Sequence, residues 1–134
     1  MSDSKLIHPD GWMKPSGYSH GVSASGRVVV TAGQVGWNPS NGAIESNEMA
    51  EQAAQALRNV VTLLRAAGAG PEHLVRLTWF VTDIDEYLIS RKALGAAYRE
   101  ILGQNFPAMS VIGVSALVEK RAKVEIEATA VVPA

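Results

Sequence analysis

The sequence predicts an α+β fold, a single domain over residues 1–134 in which two helices pack on one face of a mixed sheet. Strand-like and helix-like segments follow one another in the order ββαβαββ. Both helix-like segments carry one apolar stripe, and the last strand-like segment has one apolar face and one face with carboxylates. Helices gathered on one side of such a sheet leave its other face uncovered in a single chain.

The N-terminal part of the chain is predicted to form an arm and a hairpin. Residues 1–15 are interrupted by prolines and a glycine, so we interpret them as an N-terminal arm. The segments 18–24 and 27–34 are strand-like and flank Ser25-Gly26, which is a hairpin signal.

A long amphipathic helix is predicted next. Ser46 and Asn47 offer caps for its N-terminus, while Gly68 and Pro71 mark its end. Its apolar residues recur at three- and four-residue spacings, which place them on one stripe: Met49, Ala53, Ala56, Leu57, Val60, Val61, Leu64 and Ala67. We expect this stripe to cover one face of the sheet.

The segment 74–81 is predicted to be a strand with two different faces. Arg76 and Thr78 lie on one face, and the apolar residues lie on the other: Val75, Leu77, Trp79 and Val81. A second helix is predicted to begin at Asp83 or Asp85, both of which are good N-caps.

The last two strands, at about 108–116 and 123–132, carry the most informative pattern. In the second of them, alternation with period two sends Glu125 and Glu127 to one face and the apolar residues to the other: Val124, Ile126, Ala128 and Ala130. The carboxylate face allows two interpretations. It is either a solvated outer face, or a face from which one glutamate points into a pocket as a proton-transfer group.

Composition and charge narrow the function classes. The net charge is -1 and the basic residues are scattered, whereas nucleic-acid binding usually shows a basic stripe. No apolar run approaches the roughly 20 residues of a membrane span, and the N-terminus lacks the features of a signal peptide, so we predict a cytoplasmic protein without membrane contact. There is no cysteine, and His8, His20 and His73 lack ligand spacing, so no metal or other cofactor is predicted.

Several segments match one known family. Pro-Ala-Met-Ser at 107–110 is followed by Val-Glu-Ile-Glu-Ala at 124–128, and further matching segments lie at 17–22, 30–34 and 80–83. In the same order and spacing over about residues 16–132, these segments resemble the Rid/YjgF family, the reactive-intermediate (enamine/imine) deaminases.

This resemblance implies a chorismate mutase-like (YjgF-like) fold and a homotrimer in which the small-molecule clefts lie between neighbouring subunits. It places Glu125 in the cleft, where the carboxyl positions a hydrolytic water or transfers a proton, and Tyr18 at the cleft mouth. The residues themselves leave one alternative for each position. For Glu125 the alternative is an ion pair with Arg76 across the interface, and for Tyr18 it is the role of a half-buried structural aromatic. His20, on the same strand face as Tyr18, is a minor candidate.

The chain departs from the family pattern at positions that bind substrate. Met109 stands where the deaminases carry an Arg that holds the substrate carboxylate, and Ala32 replaces a Ser. The family Asn in the second helix corresponds to Gly95 or Arg91, and Arg91 could supply a substitute cation if it faces the cleft. Losing a charged hydrogen bond costs about 1.5–3 kcal/mol, or roughly ten- to a few hundred-fold in affinity.

The family resemblance and these departures together allow two functions from different classes. The first is hydrolytic deamination of a reactive enamine or imine, without efficient activity on 2-imino acids because Met109 replaces the Arg. The second is a non-catalytic small-molecule-binding or chaperone-like trimer, which the combined loss of Arg, Ser and Asn favours. Some relatives have been described as endoribonucleases, and the charge of this chain disfavours that activity.

Overall fold

The computed structural model describes residues 4–134. Its strands are β1 (Lys5–Ile7), β2 (Gly21–Ser23), β3 (Arg27–Val30), β4 (Gln34–Val35), β5 (Leu74–Val81), β6 (Ala108–Gly113) and β7 (Val124–Val132). Its helices are α1 (Met49–Ala66), α2 (Ile84–Ile89) and α3 (Arg91–Leu102), with a short 3-10 turn at Pro71–His73. No helix in the described part of the chain combines the length and apolar character needed to cross a membrane.

The main sheet has the strand order β3-β7-β5-β6, and β4 pairs with β7 beyond the end of β3. Strands β5 and β6 are parallel, whereas β3, β4 and β5 all run antiparallel to β7. The parallel pair is joined through α2 and α3, as a parallel connection requires a crossover. The predicted α+β class with a mixed sheet is therefore confirmed.

The core lies between this sheet and the helices α1 and α3, which pack against each other and against one sheet face. The predicted stripe of α1 supplies its centre, since Ala53, Leu57, Val60 and Leu64 are completely buried. Two predicted members of the stripe, Val61 and Ala67, are only partly buried at its margin.

The opposite face of the sheet is uncovered, as the pattern in β7 predicted. Val124, Ile126, Ala128 and Ala130 are buried in the core, and the alternate positions of β7 point to the open face. In the neighbouring β3, Val28 and Val30 pair with open-face positions of β7 and are 62% and 70% exposed. The open face thus combines carboxylates with exposed apolar side chains.

The predicted N-terminal hairpin is wrong. Strand β2 pairs with β1 of the arm, and β3 pairs with β7 instead. Gly26 has φ +145°, and a Cβ there would lie 2.0 Å from the carbonyl oxygen of Val132. The chain therefore turns tightly against the end of β7, and this long-range contact directs β3 along β7 rather than back along β2. The first three residues of the predicted arm lie outside the described part of the chain.

One predicted helix start differs from the structure, and the other agrees with it. Helix α1 begins after Glu48, and no side chain of residues 4–134 caps it; the Ser46 hydroxyl instead accepts a hydrogen bond from the Glu48 amide (3.0 Å). Asp83, one of the two predicted caps, does cap α2 by accepting the amide of Glu86 (3.0 Å). The predicted second helix is divided at Ser90 into α2 and α3.

The predicted faces of β5 are correct except at its start. The pairing of β5 with β7 shifts register between Leu74 and Arg76, which marks a bulge at Val75. Because a bulge adds one residue, Leu74 rather than Val75 takes the buried position in line with Leu77.

Candidate functional site

A cavity of about 540 Å³ opens between α3 and the edge strand β6. Met109 lies in its wall, because it pairs with Leu77 and so shares the helix-covered face of the sheet. The cavity is lined by Ser16, Gly17, Trp79, Tyr87, Arg91, Leu94, Gly95, Tyr98, Arg99, Phe106 and Met109. Its size is in the usual range for small-molecule sites.

Tyr18 is held beside this cavity by the segment that precedes β2. The Ser19 amide donates to the carbonyl of Pro107 (3.0 Å), and the Ser19 hydroxyl donates to the carbonyl of Phe106 (2.5 Å). This tie places Tyr18, which is 38% exposed, next to Met109 in the wall of an adjoining cavity of about 250 Å³. Tyr18 therefore lies at the Met109 edge of the two cavities.

His20 belongs to a different group of side chains. Its ring stacks on His8 at 5.6 Å and meets Trp12 edge-on at 5.1 Å, both of which lie in the arm. Its edge-on contact with Tyr18, at 5.5 Å, joins the arm to the cavity mouth. This placement favours a structural role for His20.

Aromatic residues form the floor of the larger cavity. Tyr98 and Phe106 stack with ring centroids 5.4 Å apart, and the Tyr98 hydroxyl donates to the carbonyl of Asn105 (2.5 Å). Burial raises the pKa of Tyr98, so its hydroxyl stays protonated. Trp79 is 4% exposed, and its indole N–H has no acceptor within residues 4–134.

One face of α3 presents two arginines at the rim of the cavity. Arg91, Gly95 and Arg99 recur every fourth position and therefore lie on the same side of the helix. The Arg91 Nε donates to the carbonyl of Leu88 (3.3 Å). Burial raises the pKa of Tyr87, and the positive charge of Arg91 opposes this rise. Both Arg91 and Gly95 thus border the cavity, one helical turn apart.

Glu125 lies on the open face of the sheet, against the connection between β3 and β4. A Cβ built on Gly33 would lie 2.1 Å from Oε2 of Glu125, so the absence of a side chain at Gly33 makes room for the carboxyl. The Thr31 hydroxyl accepts from the Ala128 amide (3.1 Å) and anchors this connection to β7. Ala32, which is exposed, stands next to Gly33 in the same connection.

Glu127 and Arg76 share the open face with Glu125. Glu125 is half-buried and Glu127 is exposed, and within residues 4–134 neither carboxyl has a hydrogen bond or an ion pair. The Arg76 guanidinium instead donates to the hydroxyl of Ser110 (3.3 Å). Within one chain, therefore, Arg76 does not pair with Glu125.

The five predicted site residues fall into two groups on opposite faces of the sheet. The edge group contains Tyr18, Met109 and Arg91, beside the cavity at β6. The face group contains Glu125 and Ala32, beside Gly33. Because Glu125 pairs with Phe80 while Met109 pairs with Leu77, the two side chains leave the sheet in opposite directions. A single chain does not bring the two groups together.

Sequence analysis did not assign four of the cavity residues to the site, namely Tyr87, Tyr98, Arg99 and Phe106. The aromatic residues look like ordinary core positions in the sequence. Arg99 had a signal, since its fourfold spacing from Arg91 and Gly95 puts it on their face of the helix. Among the described residues, no group of three or more His, Cys, Asp or Glu is placed to hold a metal ion.

The chain is an α+β protein with a cavity of small-molecule size beside its edge strand, and comparisons with known proteins specify the family. The sequence model of the family described as Endoribonuclease L-PSP matches residues 13–132. A 2-iminobutanoate/2-iminopropanoate deaminase from Homo sapiens is 35% identical over 114 residues, which cover 85% of this chain and 79% of that protein. The deaminase of the same name from Escherichia coli (strain K12) is 36% identical over 114 residues, covering 85% of this chain and 86% of that protein.

A solved structure agrees with these relatives. The protein YyfB from Yersinia pestis, described as a Rid-family protein of unknown function, aligns with a TM-score of 0.84 at 37% identity. The alignment covers 97% of this chain and 99% of that chain. The chain belongs to the Rid/YjgF family, and the resemblance found in the sequence is confirmed.

Proposed function

We propose that the protein is a hydrolytic deaminase of a reactive enamine or imine, acting as a homotrimer with three clefts between subunits. The observation that carries the proposal is the position of the two residue groups on opposite faces of one sheet. An edge group from one subunit can meet a face group from its neighbour, and Met109, Tyr18 and Glu125 would then line one cleft. The names of the deaminase relatives support the reaction type.

The open face of the sheet supports the trimer. Val28, Val30 and Ile112 are 62%, 70% and 43% exposed in the single chain. Burying apolar surface releases about 25 cal/mol per Å², so covering this face with a second subunit stabilises the assembly. Residues of both charge types on the same face, such as Glu127 and Arg76, can pair across the contact.

Glu125 has the position and chemistry for the hydrolytic step. Its carboxylate accepts a proton from a water whose oxygen forms a bond to the imine carbon, and the carboxyl so formed returns this proton to the imine nitrogen. The hydroxyl proton of the resulting carbinolamine then moves to the amino nitrogen as the C–N bond breaks, which releases ammonia and leaves a carbonyl product. An enamine first takes a proton on carbon and loses one from nitrogen to become the imine. Glu125 has no partner within residues 4–134 that would occupy the carboxyl.

Met109 limits the substrates. A thioether gives an apolar, flexible wall where the family's deaminases place a carboxylate-binding guanidinium. A small 2-imino acid therefore loses about 1.5–3 kcal/mol of charged hydrogen bonding at this position. We expect poor turnover of 2-iminobutanoate and 2-iminopropanoate.

The deciding experiment measures keto-acid release when an imine-generating enzyme is coupled to the protein, with Glu125→Gln and Glu127→Gln as a matched pair. Loss of turnover in Glu125→Gln alone supports the proposal. Equal losses in both variants, or a loss only in Glu127→Gln, would place the chemistry elsewhere. Binding of keto acids without any turnover in the wild type would instead favour the non-catalytic binding protein.

Endoribonuclease activity is the weaker candidate, although the family description mentions it. The net charge of -1 offers little attraction for a polyanionic backbone. A cytoplasmic location remains part of the proposal.

A further inference from the structure

The cavity between α3 and β6 has an aromatic floor and a cationic rim. Three floor residues are almost fully buried, since Trp79, Leu94 and Tyr98 are 4%, 5% and 6% exposed. The rim contains Arg91 and Arg99, both of which are exposed. A site with one apolar end and one positively charged end fits a ligand that is itself apolar at one end and anionic at the other.

The two arginines have no anionic partner of their own. Within residues 4–134 neither guanidinium forms an ion pair. Arg91 is the first residue of α3, and the first turn of that helix carries no acidic side chain. A cation at a helix N-terminus opposes the helix dipole, so this position disfavours the helix and favours an external anion. Within residues 4–134, the Arg91 guanidinium is therefore not neutralised by a carboxylate at this helix start.

Gly95 makes space between the arginines. A Cβ built on Gly95 would lie 3.2 Å from Nη1 of Arg99, which shows that the Arg99 guanidinium lies back over the glycine. This direction follows from the lean of helical side chains toward the helix N-terminus. With no side chain at Gly95, the aromatic floor stays open to a ligand held at the rim.

We propose that this cavity binds an aromatic carboxylate, with the ring on the floor formed by Trp79, Tyr98 and Phe106 and the carboxylate on Arg91 and Arg99. The flat ring of Phe106 is already stacked on Tyr98, and aromatic pairs favour such offset contacts. The inference rests on the proposed function, because the bound molecule is taken to be the imine or enamine that Glu125 of a neighbouring subunit hydrolyses. The substrate is then a bulky aromatic carboxylate. Arg91 and Arg99 of α3 bind the carboxylate that Met109 cannot bind.

Stable keto acids test the binding separately from the catalysis. Isothermal titration of the full-length protein with phenylpyruvate, pyruvate and 2-phenylethanol compares ring plus carboxylate, carboxylate alone and ring alone. We expect phenylpyruvate to bind at least about tenfold more tightly than either of the others, since it adds a charged hydrogen bond that 2-phenylethanol lacks and the burial of a ring that pyruvate lacks.

Substitutions then test which residues bind the carboxylate and which make room for the ring. The double substitution Arg91→Gln with Arg99→Gln should weaken phenylpyruvate binding by about ten- to a hundred-fold. Lys92→Gln removes one positive charge from an exposed neighbour on α3 that does not line the cavity, and should leave the affinity unchanged, whereas Arg91→Gln or Arg99→Gln alone should weaken it. Gly95→Leu should abolish the preference for phenylpyruvate over pyruvate while both arginines remain.

Three results would overturn the inference: no phenylpyruvate binding at millimolar concentration, equal affinity for phenylpyruvate and pyruvate, or the same loss in Lys92→Gln as in the double variant. Circular dichroism of each variant shows whether the fold is intact, and Arg91→Lys with Arg99→Lys, which keeps the charges, should recover part of the affinity. Tight phenylpyruvate binding without turnover of any imine would contradict the proposed deaminase and leave the aromatic-carboxylate site standing.

Discussion

The carboxyl of Glu125 occupies the space that a side chain on Gly33 would fill. Oε2 and Cδ of Glu125 lie 2.1 Å and 2.7 Å from the position of a Cβ on that glycine. The connection between β3 and β4 therefore acts as a seat for the carboxyl, and the seat exists only because position 33 has no side chain.

Gly33→Ala should remove this seat. The methyl group forces Glu125 into another rotamer, and since the side chain faces the open side of the sheet, it can move without unfolding the chain. We expect imine turnover to fall as far as it does in Glu125→Gln, while thermal unfolding changes little. Gly21→Ala is the control, because its Cβ would meet Ile7 at an ordinary 3.4 Å. Normal turnover in Gly33→Ala would show that the seat is irrelevant.

Gly95→Ala should stabilise the protein and weaken its binding of large ligands. Alanine in a helix interior is favoured over glycine by about 0.5–1 kcal/mol, and the contact with Arg99 is made by the movable end of that side chain. Urea unfolding measures the gain, and phenylpyruvate titration measures the loss. A gain in stability with unchanged affinity would mean that Gly95 does not keep the cavity open.

Met109→Arg should raise the rate of 2-iminobutanoate hydrolysis by about tenfold or more, because it restores a charged hydrogen bond to the substrate carboxylate. Met109→Leu, which keeps an apolar side chain of similar volume, is the matched control and should leave the rate low. The coupled release of 2-oxobutanoate is the measurement. An equal rise in both variants would show that loss of the Met109 side chain, and not the added charge, causes the higher rate.

Val30→Glu should dissociate the trimer. Val30 is 70% exposed on the open face, so the charge does not disturb the folded chain but would be buried unpaired between subunits. Mass photometry should report three chain masses for the wild type and one for the variant. Val118→Glu places the same charge on a fully exposed loop and should remain trimeric. A monomeric wild type would show that the protein has no cleft between subunits.

Residues whose roles follow from local pattern were predictable. The alternation in β7 placed Val124 and Ile126 in the core and Glu125 on the open face, because a strand has a fixed period of two. The α1 stripe was predictable for the same kind of reason, since Leu57 and Leu64 recur at helical spacing.

Features that depend on distant contacts were not predictable. Ser25-Gly26 is a good local hairpin signal, yet β3 pairs with β7, which is about 100 residues away along the chain. The cavity was missed because it forms only when α3 lies over the edge strand β6. In the sequence Arg99 looks like any exposed helix residue, and only this packing places it in the same cavity as Met109.

The central claim is that each active cleft combines the edge group of one subunit with the face group of another. Subunit mixing tests it most directly: co-express Glu125→Gln with Met109→Trp, which fills the edge cavity, using two affinity tags to isolate mixed trimers. Each variant alone should be inactive. In a closed ring of three heterologous contacts, random assembly leaves about a quarter of the clefts intact, so the unfractionated mixture should recover about a quarter of wild-type turnover. Mixed trimers that remain as inactive as the two parents would contradict the shared cleft.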